Sequence, residues 1–158
     1  MPLIQMLYVS KAARPFLLDE LRELVDQASR NNQERDITGM LLYGGGYFLQ
    51  VLEGEPERVE ALFTQISKDT RHVDVQSVLR VAVSRRSFDY WGMRLLCLEH
   101  ATELNVERMR QLAAGMVDGA KARTHATAML QCMRDFCAQI PATVSQAAGR
   151  DMISNLPV

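Results

Sequence analysis

The sequence predicts a two-layer α+β sandwich: a β-α-β-β-α-β unit with one further strand, followed by a helical segment. Three observations predict it. Apolar segments of strand character alternate with segments of helical periodicity through the first two-thirds of the chain. A triple glycine joins two β-rich segments with no helix between them, which marks a hairpin. Hydrophobic residues make up 47% of 158 residues and charged ones 23%, enough apolar content for one packed core.

Leu3 to Ser10 is apolar apart from Gln5 and reads as a buried strand. Its alternation puts Ile4, Met6, Tyr8 and Ser10 on one face and Leu3, Gln5, Leu7 and Val9 on the other. Pro15 permits a helix start, and Asp19 and Glu20 suit the positive end of the helix dipole. Leu18, Leu21, Leu24, Val25 and Ala28 recur at the helical period, and the polar run Arg30-Asn31-Asn32-Gln33 ends the helix. Ile37 to Tyr43 and Tyr47 to Glu53 are the hairpin arms around Gly44-Gly45-Gly46, a joint that tolerates positive φ. In the second arm Phe48, Gln50 and Leu52 share a face, with Leu49 and Val51 opposite. Gly54-Glu55-Pro56 breaks that strand and opens a helix striped with Val59, Leu62, Phe63 and Ile66. Asp74 to Ser84 holds a Val-rich strand, and a polar loop from Arg85 to Asp89 leads to a shorter strand around Trp91 to Leu96.

With right-handed crossovers this order gives a ferredoxin-like sandwich, both helices on one sheet face. The other face carries Leu7, Val9, Leu49, Val51, Leu79 and Val81, an apolar patch that must be covered. A helical pair supplies the cover. One helix is capped by Asn105 and bears Val106, Met109, Leu112, Ala113 and Met116; the other bears Met129, Leu130, Met133, Phe136 and Ile140 before Pro141 stops it. The small, polar residues after Pro141 read as a mobile tail. The chain thus divides into the sandwich, residues 1–98, and a helical extension with its tail, residues 99–158.

Lys and Arg total 18 against 19 Asp and Glu, a net charge of -1. No cationic excess exists to displace counterions from nucleic acid or to hold an anionic membrane. Charges interrupt every hydrophobic stretch short of the roughly 20 residues that span a bilayer, and the first residues lack the basic and apolar regions of a secretory signal. Cys97, Cys132 and Cys137 are odd in number and without CxxC spacing, which argues against a disulfide scaffold or a cysteine-built zinc site and for a reducing cytoplasm. His72, His100 and His125 are scattered, the glycine run lacks the lysine and helix of a phosphate loop, and no Ser/His/Asp order stands out. Glu53-Gly54-Glu55 sets carboxylates at a strand end, where solvation or helix capping accounts for them. The expectation is a cytoplasmic protein that is not an enzyme.

The unusual feature is polarity on the helix-facing side of the sheet. Tyr8 and Ser10 on the first strand and Gln50 on the third stand where a plain core would carry Val or Leu. Those two strands are neighbours in this fold, so the phenol and the amide can meet. A buried polar group left without a partner costs about 1–3 kcal/mol, so the cluster either satisfies itself or meets a planar polar ligand, with Asn31 and Asn32 adding amides at the rim. The residues alone leave both readings open.

Six blocks follow one another along the chain: the segment around Tyr8 and Ser10, Arg30-Asn31-Asn32, Ile37-Thr38-Gly39-Met40-Leu41-Leu42, Phe48-Leu49-Gln50-Val51-Leu52-Glu53-Gly54, Asp69 to His72, and Trp91-Gly92-Met93. In order and spacing these blocks make the chain resemble the BLUF domain, a blue-light sensor that uses FAD. The resemblance implies non-covalent FAD between the two helices, Tyr8 as photochemical electron donor and Gln50 as the amide linking it to the flavin. Asn32 would grip the ring edge with Asn31 beside it, and Ser10, Asp69, Arg71 and His72 would be further cofactor neighbours. Met93 and Trp91 would lie on a switch strand, their i, i+2 spacing placing both on one face. It further implies a homo-oligomer and a separate downstream protein partner. The competing function is a ferredoxin-like small-ligand-binding or interaction module without photochemistry. A third, an acylphosphatase-like hydrolase, lacks its glycine-rich anion loop and paired arginine after the first strand, and no cysteine lies in the pocket segments where a flavin adduct would need one.

Overall fold

The computed structural model describes residues 2–44, 46–88, 93–97, 111–112 and 122–138. Along the chain come β1 (Leu3–Ala12), α1 (Leu18–Glu34), β2 (Thr38–Gly44), β3 (Tyr47–Gly54), α2 (Pro56–Ser67), β4 (His72–Val83), β5 (Arg94–Cys97) and α3 (Ala122–Ala138). The five strands form one sheet in the order β4-β1-β3-β2-β5. β1 pairs antiparallel with both β3 and β4, β2 pairs antiparallel with β3, and β5 adds to β2 in parallel. This is the ferredoxin-like order with the extra strand at one edge, as the element order predicts.

Strand alternation sorts two cores onto the two faces. Ile4, Met6, Tyr8, Leu41, Phe48 and Leu52 pack with Leu21 and Val25 of α1 and Val59 and Leu62 of α2. Leu7, Val9, Leu49, Val51 and Leu79 pack with Ala126, Met129, Leu130 and Met133 of α3. The expected cover of the open face is therefore present in α3, and Leu112 adds a half-buried contact. Asn105, Val106, Met109, Ala113, Met116, the side chain of Phe136, Ile140 and the stretch after Pro141 lie outside the described residues.

Local signals account for the boundaries. Pro56 stands in the first turn of α2, where its missing N–H removes nothing. The hairpin turns through Gly46 at φ 80, a value that favours glycine. α1 starts at Leu18 rather than at Pro15, because Glu20 reaches back to accept the Leu17 N–H at 2.8 Å and fixes the entry there. At its other end α1 runs through the polar stretch to Glu34. The Ile37 N–H donates to the Asn32 carbonyl at 2.8 Å and the Asp36 N–H to that of Gln33 at 3.1 Å, with Asp36 left-handed at φ 53. That pair of bonds is a Schellman motif. β4 shifts register twice against β1, between Leu7 and Tyr8 and between Val9 and Lys11, and Asp74 at φ 53 lies in the second shift.

The Arg85–Asp89 loop is polar in sequence, yet its Phe88 is fully buried in the open-face core. One aromatic anchors an otherwise wet segment. No helix among the described residues is long and apolar enough to cross a membrane.

Candidate functional site

Tyr8 of β1 stands directly opposite Gln50 of β3, and both face the helices. The Tyr8 hydroxyl donates to Gln50 Oε1, and Gln50 Nε2 donates to Met93 Sδ at 3.1 Å. Tyr8 is fully buried against Phe63 of α2, ring centroids 5.6 Å apart. Met93 is buried too, but it precedes β5 instead of lying within a strand from Trp91 to Leu96. Its carbonyl accepts from Ser29 Oγ of α1 at 3.3 Å, which holds the residue at the strand's entrance. Gly39 makes the close approach possible: a Cβ there would stand 2.1 Å from the Val51 carbonyl oxygen and 3.3 Å from Met93 Cε. Trp91 lies outside the described residues.

Above this floor a cleft of about 160 Å³ opens between α1 and α2. Leu24 and Ala28 of α1 and Leu62 and Ile66 of α2 give it apolar walls, and Tyr8, Leu41 and Gln50 form its floor. Asn31 and Asn32 both line it; Asn31 is exposed at the rim, and Asn32 is buried. The Schellman bond to the Asn32 carbonyl fixes that residue's backbone. Asp69, Arg71 and His72 enter from the turn between α2 and β4. Ser10 is not part of the wall. It stands behind, its Oγ 2.7 Å from His72 Nδ1, with the His72 ring tilted against Phe48 at a centroid distance of 4.8 Å.

Burial pushes the Tyr8 phenol far above its ordinary value, with the Asp69 charge a smaller cause. The phenol therefore keeps its proton in the resting protein. Hydrogen bonds from Arg71 hold the Asp69 carboxyl below its usual range, and the Arg71 Nη2 to Asp69 Oδ2 distance is 2.5 Å. Burial lowers His72, with Asp69 opposing and Arg71 reinforcing that shift.

The structure adds residues that the sequence pattern did not single out. Gln27, Arg35 and Gln65 also line the cleft, and Arg35 Nη1 donates to Gln65 Oε1 at 2.8 Å across its mouth. The i, i+4 spacing of Gln27 and Asn31 was the one signal available. The carboxylate at the end of β3 overturns its sequence reading. Glu53 is fully buried and accepts from Gln5, Thr38 and the backbone N–H groups of Ser87 and Phe88. It neither meets solvent nor caps a helix, because the loop after β4 folds back over the strand end.

The cleft suits a flat heteroaromatic ring. Aliphatic walls face each other across it, amides stand at its floor and edge, and Arg35 and Arg71 offer cations at the rim for phosphate groups. Among the described residues no cluster of His, Cys, Asp and Glu could hold a metal ion.

Comparison with known proteins points the same way. The blue light- and temperature-regulated antirepressor BluF of Escherichia coli is 37% identical over 79 residues, which is 50% of this chain and 20% of that protein. A photoactivated adenylate cyclase subunit beta of Euglena longa is 37% identical over 81 residues, 51% of this chain and 9% of that one. The chain thus spans a fifth or less of these relatives' length. The dark-state structure of BlrB, a BLUF protein, superposes with a TM-score of 0.67 at 25% identity, covering 87% of this chain and 97% of that one. The profile of the family described as sensors of blue light using FAD matches residues 3–94, and by that match the chain belongs to the BLUF family.

Proposed function

We propose that Tyr8, Gln50 and Met93 form the photoactive relay of this sensor, and that Asn31, Asn32, Asp69, Arg71 and His72 hold its FAD. The contiguous chain from the Tyr8 hydroxyl through the Gln50 amide to Met93 Sδ carries this reading. Asn32 would bond the polar ring edge with Asn31 beside it. Leu24, Ala28, Leu62 and Ile66 would cover the ring faces, and Arg71, oriented by Asp69, would meet the phosphates. Ser10 supports the site through His72. When bound, the flavin supplies blue-light absorption and an excited state that accepts an electron.

The residues then follow their own chemistry. A buried phenol that holds its proton so tightly cannot lose an electron alone without becoming a strong acid. Its proton would therefore pass to Gln50 Oε1 as the electron leaves, and Gln50 would release a proton from Nε2 toward the reduced ring. Electron and proton would return to Tyr8 when the charges recombine, leaving only the amide changed. Gln50 has both an acceptor and donors, so rotation of its amide exchanges which group faces Tyr8 and which faces Met93. That exchange swaps a donor for an acceptor at Met93 Sδ, and the Met93 contact is altered. Trp91, two residues earlier, is the second member of this switch segment. Residues 1–98 act as sensor and 99–158 as output element, which passes the change to a separate protein partner or to another copy of the chain. The cover that α3 provides over the sheet supports that division.

The test is absorption spectroscopy of the FAD-bound protein under blue light. The expected result is a small red shift that reverses in darkness without added reductant. Tyr8→Phe should keep the flavin and lose the shift; a normal photocycle in Tyr8→Phe would overturn the assignment.

A further inference from the structure

Glu53 and Gln5 sit on the sheet face away from the cleft, in a polar cluster that the photochemistry does not use. Glu53 Oε2 accepts from Gln5 Nε2 at 2.5 Å and from the Ser87 N–H at 2.8 Å. Its Oε1 accepts from Thr38 Oγ1 at 2.9 Å and from the Phe88 N–H at 3.1 Å. Backbone N–H groups can only donate, so a side chain with two accepting oxygens is what this position requires. Gln5 is itself fully buried, and its Oε1 accepts from Arg134 Nη2 of α3.

The placement of these bonds along the chain is informative. β3 contacts the chain on either side of residues 89–92, which lie outside the described residues: Glu53 grips Ser87 and Phe88, and Gln50 contacts Met93. Gln50 faces the cleft and Glu53 the opposite side, so one strand touches those flanking residues from both sides of the sheet. Gln5 then joins the Glu53 contact to α3.

We propose that Gln5 is a positioning residue for output: it couples the chain that Glu53 and Gln50 hold, at Ser87–Phe88 and at Met93, to α3 through Arg134. The proposal rests on the assignment of Gln50 and Met93 given above. The Gln5 amide is polarised by its partners, with an acceptor on one side and a cation on the other. It cannot turn over without setting donor against donor and acceptor against acceptor. A change in how Gln50 holds Met93 shifts the load on the far anchor at Glu53, and the Gln5 amide passes it across as a change in its bond to Arg134. Arg134 is sensitive to that change, because its Nε is buried with no hydrogen-bond partner among the described residues. The bond to Gln5 is thus a large part of what fixes the guanidinium, and with it the face of α3 that bears Leu130 and Met133. On the open face this route runs through side chains, from Glu53 to Gln5 to Arg134, and is separate from the one along β5.

The experiment is hydrogen–deuterium exchange on the full, FAD-bound chain in darkness and under blue light, read on peptides from residues 122–138. An absorption spectrum is taken from each sample. The wild-type chain should show a light-minus-dark difference in those peptides. Gln5→Leu and Arg134→Met should keep the red shift and lose most of that difference, and Arg134→Lys, which keeps a donor, should regain part of it. A purely structural role would alter exchange equally in both states and leave the difference standing. A difference that persists in either variant alongside a normal red shift overturns the proposal, as does a red-shifting wild type with no difference in α3. A wild type with no red shift instead overturns the assignment of Gln50, and the spectrum tells these failures apart.

Discussion

The two faces of the sheet each bury polar side chains, and they do so to opposite ends. On the helix face Gln50 shares one bond with Tyr8 and offers an N–H to a thioether, a weak acceptor, beside an open cleft. On the other face Glu53 receives four donors, two of them backbone groups of one loop. The first arrangement leans on a weak acceptor and borders the cleft between α1 and α2. The second meets each Glu53 oxygen with two strong donors, while its neighbours Ser87 and Arg134 line a separate cleft between β4 and α3. Buried polarity alone does not mark a ligand site; the quality of its partners does.

The sharpest way to break this contrast is at Glu53. Glu53→Ala strands the Ser87 and Phe88 N–H groups and the Gln5 amide, each unmet group costing about 1–3 kcal/mol. The expected loss of stability is about 3 kcal/mol or more, seen as a lower urea midpoint of the flavin-free chain. A midpoint within error of the wild type would show that the cluster is not structural.

The helix face should answer the other way. Asn32→Ala should leave the flavin-free chain within about 1 kcal/mol of wild type. It should weaken FAD retention about tenfold to thirtyfold, since one good hydrogen bond to a ring edge is worth about 1.5–2 kcal/mol. Titration calorimetry with FAD reads this directly, and unchanged affinity would remove Asn32 from the binding set.

The smallest effect is a pH dependence at the cleft's edge. Burial lowers the His72 value in the folded chain below its ordinary 6.5. The unfolded chain therefore binds more protons below that pH. The stability due to neutral His72 is present above about pH 6.5 and is lost as pH falls toward the folded value. His72→Gln should flatten the decline in urea stability between about pH 7 and about pH 5. An equally steep decline in the variant would assign it to other groups.

Much of the cleft's floor was legible because it depends on local periodicity. Alternation alone turned Tyr8 and Gln50 toward the helices, and the element order made their strands neighbours. The open-face patch and the Met129, Leu130 and Met133 stripe that covers it were legible for the same reason. What could not be read were the places where distant segments meet. Glu53 looked solvated because its partners come from residue 5 and from a loop more than thirty residues later. Phe88 was one apolar residue in a polar run, too short a signal for any periodicity. Met93 falls just outside β5 because the strand's parallel pairing to β2 begins only at Arg94 opposite Met40. Arg35 and Gln65 meet across the cleft mouth from two helices whose relative placement the pattern does not specify.

The register shifts of β4 bear on how copies of this chain could meet. β4 ends the sheet on one side, and a long straight strand there would present an unbroken row of backbone donors and acceptors to a neighbour. Two irregularities, one with a left-handed Asp74, put that row out of phase. Arg80, paired with Glu60, adds a charge to the same border. A border broken in this way resists growing by strand addition, so fibre-like stacking along β4 is disfavoured at high concentration.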